Sequence, residues 1–168
     1  QHLSFEIVAK KEDIRFYVSC HRNNMELTEK LLAGAYPGVQ VKEVEEYNIF
    51  TDTGKVAFSE MVLRSESYKP IKVYKELTTD PLASITASLA KLGADEAAAI
   101  QIIVVPAESE WQKAGESYIS KTKRAESDPE KAKFRISPAD FEAIDNKVGR
   151  PGFLTAVRIV TVAPTEGV

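Results

Sequence analysis

A chain of 168 residues with 43% hydrophobic and 28% charged side chains can bury a sizeable core, which excludes a disordered tail. A net charge of −3 and a pI near 5.5 argue against a broad DNA-binding face, because such a face needs clustered Lys and Arg to displace counterions. The single cysteine, Cys20, excludes an internal disulfide, and apolar runs such as residues 100–107 are too short to cross a bilayer.

In chain order, Leu3, Phe5 and Ile7 alternate with polar residues, as do Ile14, Phe16 and Val18, and residues 10–13 form a polar turn between them. That is a β-hairpin with one wet face. Asn24 is placed to cap a helix whose apolar face is Leu27, Leu31 and Ala35, stopped by Pro37-Gly38. Val39 and Val41 begin a third strand ending near Tyr47, and a turn at Asp52-Thr53-Gly54 leads to a fourth over residues 56–63. The second part opens at Asp80-Pro81, an N-cap followed by proline at the first helical position, where its missing N–H costs nothing. Leu82, Ile85, Leu89 and Leu92 form one stripe, with Gly93 as the stop. Residues 100–105 are apolar on both faces except at Gln101, so they predict a central, covered strand. A helix from Ser109 carries Trp111, Gly115 and Tyr118 on one side, and the charged stretch 121–133 lacks apolar periodicity. Ser137, Pro138 and Asp140 start a last helix with Phe141, Ile144 and Val148, broken at Gly149 and Pro151-Gly152 before a final strand over 153–162. The plan is α+β, in two halves of residues 1–78 and 79–168 that form one compact unit. The start at Gln1, almost on a strand, reads as a piece cut from a longer protein.

Candidate chemistry is sparse. Thr53-Gly54-Lys55 resembles the end of a phosphate-binding loop, but Ile49 and Val56 occupy the positions that need Gly and Ser or Thr. Cys20 and His21 are adjacent on a strand and so point to opposite faces, which does not make a nucleophile–base pair. Glu43, Glu45 and Glu46 along one strand converge poorly on a cation and read as a solvated edge. Lys121, Lys123 and Arg124 are followed at once by Glu126, Asp128 and Glu130, a mixed-charge face. Trp111 and Tyr118 read as packing anchors or as a contact surface. Gln101, polar within an apolar strand, calls for a structural hydrogen-bond partner. No catalytic constellation, cofactor site or metal site is expected from these residues.

Several short runs resemble a known family when taken together. They are Leu3-Ser4-Phe5-Glu6-Ile7-Val8 before Ile14-Arg15-Phe16-Tyr17, Ala35-Tyr36-Pro37 before Glu43-Val44-Glu45-Glu46-Tyr47, and Pro70-Ile71-Lys72 before Asp80-Pro81-Leu82. The series continues with Glu96, Ile100-Gln101, Pro106 and Trp111, and ends with Gly152-Phe153 and Val157-Arg158-Ile159. In order and spacing the chain is similar to the soluble domain preceding the motor in membrane-associated ATPases of the type IV secretion and conjugation class. The resemblance covers nearly the whole chain apart from 121–133. It implies two packed ferredoxin-like halves, with mixed or antiparallel sheets and helices on one face. It also implies a non-catalytic assembly or regulatory role, at the cytoplasmic side of the membrane in the parent protein. The partners implied are the downstream ATPase domain or other secretion-system subunits, with any oligomer formed through the parent; neither direct nucleic-acid binding nor membrane insertion is expected. Trp111, Tyr118, Lys121, Lys123 and Arg124 are the candidate contact residues. A free-standing ligand-binding module, with a cleft lined by Trp111, Tyr118 and Gln101, is the alternative.

Overall fold

A computed structural model of the chain describes residues 2–126 and 137–164, which form an α+β fold. β1 (Leu3–Lys10) and β2 (Asp13–Ser19) make the expected antiparallel hairpin, with Glu12 at φ 59° in the turn. β4 (Ala97–Pro106) pairs antiparallel with β1, and β3 (Lys55–Met61) pairs antiparallel with β5 (Phe153–Ala163). The five strands form one sheet in the order β2-β1-β4-β5-β3. β4 is central, as its apolar faces predict. Strands from residues 1–78 and 79–168 therefore share this sheet, instead of each half completing its own. The reason lies in β4, which needs a neighbour on each side and finds β1 on one and β5 on the other.

Register assigns the faces. Ile7 opposes Ile100 and Ala9 opposes Ala98, and α2 (Pro81–Leu89) covers this face with Leu89, Ile85 and the following Leu92. On the opposite face Val8, Ala97, Ala99 and Val162 pack with Ile49 from the segment before β3. α2 starts as expected, with the Asp80 carboxylate accepting from the Leu82 N–H at 2.9 Å and Pro81 in the first turn. It ends at Leu89, before Gly93, whose N–H instead donates to the Glu96 carboxylate at 2.7 Å.

Three expectations are corrected. Residues 39–47 form no strand. Glu43, Glu45 and Glu46 are poor strand formers, and β3 takes the more apolar β5 as its neighbour, setting Val56 opposite Val162 and Phe58 opposite Val160. The Asn24 side chain does not cap α1 (Met25–Ala35); a short 3₁₀ turn over Arg22–Asn24 leads in, its first N–H groups served by His21 Nδ1, which accepts from the Asn23 N–H at 3.3 Å. The Leu27–Leu31–Ala35 stripe of α1 also points the other way from expectation. Leu27 and Leu31 are 59% and 64% exposed, while Met25, Thr28 and Leu32 are the half-buried positions.

Contacts gather the described residues into two compact units. One takes those in 1–62, 80–105 and 155–168, the sheet with α1 and α2; the other takes those in 63–79 and 106–154. The second is built on α3 (Glu110–Glu126) and α4 (Pro138–Val148), with Ile119, Ile144 and Val148 buried between them. Ser137 caps α4 as its sequence predicts, accepting from the Asp140 N–H at 3.1 Å, and Gly149 closes it. The part of 121–133 beyond Glu126 lies outside the described residues.

Candidate interaction surface

The sheet carries one buried carboxylate. Glu6 of β1 faces Tyr17 on β2 and Gln101 on β4, and only 8% of it is exposed. It accepts hydrogen bonds from Ser4 Oγ at 2.6 Å, from Gln101 Nε2 at 3.1 Å and from the Tyr47 hydroxyl. Gln101 Nε2 also donates to the Tyr47 oxygen at 3.1 Å, and the Tyr17 and Tyr47 rings stack obliquely with centroids 5.0 Å apart. A carboxylate withdrawn from water needs such donors, since burial without them costs several kcal/mol, on the order of the margin of a small domain. Burial, followed by the hydrogen bond to Glu6, pushes the Tyr47 phenol up to about 12. Gln101 thus finds the structural partner its position demands. Glu6 and Tyr47 escape a sequence reading because they meet across 41 positions of chain.

This network anchors the segment that follows α1. Tyr47 is held by Glu6, the Asn48 carbonyl accepts from Lys10 Nζ, and Ile49 is buried against Val8 and Val162. The chain then turns at Gly54 into β3. A side chain there would meet Thr51 Oγ1 and Val162 Cγ1 at 2.5 Å, so the glycine is required for close packing of the turn.

Beyond these anchors the sheet unit leaves large apolar side chains in water. All seven residues of β3, an edge strand, are exposed, with Phe58 at 62%. α1 buries none of its residues. Tyr36, Val39, Val41, Val44 and Phe50, all between α1 and β3, are exposed as well.

The candidate contact residues lie on α3. Trp111 and Tyr118 are half-buried and pack around Ile119, Ile144 and Val148, together with Tyr68 and Phe141. The Tyr118 and Tyr68 rings sit 5.1 Å apart. Trp111 lies so close to Gly152 that a Cβ there would be 2.5 Å from Cζ2, and its Nε1 is buried with no hydrogen-bond partner among the described residues. Lys147 Nζ stands 6.0 Å from the Trp111 ring centroid and donates to the Ser67 and Lys69 carbonyls at 2.6 and 2.7 Å; burial holds its pKa below the usual lysine value. Lys121, Lys123 and Arg124 are exposed on the last turns of α3, with Lys123 Nζ 4.9 Å from the Phe141 ring centroid. Trp111 and Tyr118 thus serve the helical core, whereas Gln101 serves the Glu6 network of the sheet. Cys20 is half-buried and accepts from Thr28 Oγ1 at 3.6 Å, while His21 is exposed at the start of the 3₁₀ turn. Among the described residues no three His, Cys, Asp or Glu side chains are grouped to hold a metal ion, and no helix is long and apolar enough to cross a membrane.

No curated protein and no solved structure matches the chain. A family model described as a domain of unknown function, DUF8128, matches residues 1–168, and the chain belongs to that family.

Proposed function

We propose that this chain is a non-catalytic assembly and regulatory domain that works through protein–protein contacts. The observation that carries the reading is the apolar surface left in water by α1 and the edge strand β3, including Leu27, Leu31, Val56 and Phe58. Single exposed apolar residues are ordinary on a monomer, but a helix with no buried residue and an open, apolar sheet edge are surfaces that assembly partners cover. The likeness of the ordered motifs to the pre-motor domain of type IV secretion and conjugation ATPases supplies the setting. In it the domain sits at the cytoplasmic face of the membrane, and its partners are the parent's own motor domain or other subunits of the apparatus.

The domain regulates or positions the motor and leaves nucleotide chemistry to it. Titration calorimetry of the purified domain against the remainder of the parent protein tests this. Binding with a dissociation constant in the micromolar range or tighter, and a negative heat-capacity change from apolar burial, is expected. Absence of heat at every temperature would contradict it.

A further inference from the structure

We propose that residues 39–46 receive an extended, basic segment of the partner protein by backbone pairing, adding a strand to this domain. The inference rests on the docking role above and names the chemistry of the occupant. Val39-Gln40-Val41-Lys42 begins with the alternation of a strand, and Val39, Val41 and Val44 are exposed. Yet the backbone of residues 40–46 makes no backbone hydrogen bond within the described residues. The segment is nonetheless fixed at both ends. Upstream, the Tyr36 N–H donates to the Leu32 carbonyl at 2.9 Å and the Val39 N–H to the Tyr36 carbonyl at 3.1 Å, with Gly38 at φ +86° making the turn. Downstream, Tyr47, Asn48 and Ile49 are pinned to the sheet. Unpaired amides and carbonyls, exposed valines and anchored ends suit strand addition, because the anchors limit the length of chain that must be ordered on binding.

Charge selects the occupant. From Met25 to Asp52 the chain carries six carboxylates (Glu26, Glu29, Glu43, Glu45, Glu46 and Asp52) against two lysines, a local −4 within a total of −3. One of those lysines, Lys30, already pairs with Glu26. Carboxylates beside the apolar positions attract a strand alternating Lys or Arg with valine-like residues, and repel an acidic one.

Fluorescence anisotropy at about 150 mM salt, the physiological ionic strength, tests this with three labelled octapeptides. One alternates Lys and Val, one alternates Glu and Val, and one is the Lys/Val peptide with its valine amides N-methylated. The Lys/Val peptide is expected to bind at least tenfold more tightly than either of the others. Glu43→Gln/Glu45→Gln/Glu46→Gln, whose altered side chains are all exposed, should weaken it at least tenfold at an unchanged melting temperature. No binding of the Lys/Val peptide, equal binding of the N-methylated peptide, or an unaffected triple variant would each overturn the proposal. Failure of the peptides with intact calorimetric binding to the parent would remove strand addition and leave the docking role; the reverse result would remove the docking role and leave strand addition.

Discussion

Glu6 is accommodated inside the sheet because Ser4, Tyr47 and Gln101 all direct donors at it. Tyr47→Phe removes one of these and loosens the anchor of residues 47–49. A loss of about 1.5–3 kcal/mol in urea unfolding at pH 7 is expected, typical of a hydrogen bond to a charged group; an unchanged midpoint would show the network to be idle. The same residue sets an alkaline limit. Its phenol is raised from 10.0 to about 12 on folding, so the contribution is complete below pH 10 and lost as pH rises towards 12. The wild-type protein should therefore lose stability over that window more steeply than Tyr47→Phe, and parallel curves would contradict the assignment. In the helical unit, Gly152→Ala would press a methyl group onto the Trp111 ring and should cost about 1–3 kcal/mol, the usual range for overpacking. Thermal unfolding followed by Trp111 fluorescence measures this directly. Of these residues only Gln101 announces itself in sequence, as a polar intrusion in an apolar run. Glu6 looks like any outward residue of an alternating strand, because the partner that turns it inward arrives from a distant segment.

At the scale of elements, local signals carried far and long-range pairing did not. The hairpin, the Asp80-Pro81 and Ser137-Pro138 helix starts and the central placement of β4 were legible, because capping and alternation act within a few residues. Strand order, the exposed stripe of α1 and the absence of a strand at 39–47 were not, because each depends on which distant surface is available. β4 shows the difference in one strand. Its two faces read alike, which predicts that an aspartate at Ile102 buries a charge, yet Ile102 is 38% exposed, whereas Ala98 and Ala99, one on each face nearer the start of the strand, are 3% and 2% exposed. Ala99→Asp is accordingly expected to cost about 4 kcal/mol or more, since it buries an unpaired charge, and Ile102→Asp only about 1–2 kcal/mol. Equal melting temperatures for the two variants would contradict this difference in burial.

For the whole molecule, net charge and exposed apolar surface bear on which partner to test. Lys121, Lys123 and Arg124 are three cations on a chain of net charge −3, from which weak nucleic-acid affinity is predicted. Duplex and single-stranded DNA should bind this domain with dissociation constants on the order of 10⁻⁴ M or weaker at physiological salt. Anisotropy titration gives that value, and submicromolar binding abolished by replacing the three cations would make the domain a DNA guide. The central claim, proposed above, is that α1, residues 39–46 and β3 are covered by a protein partner. Amide hydrogen exchange, compared between the isolated domain and the full-length assembled parent, tests it most directly. Slowed exchange confined to residues 25–35, 39–46 and 55–61 is the result this account requires; identical exchange in those three segments would contradict it.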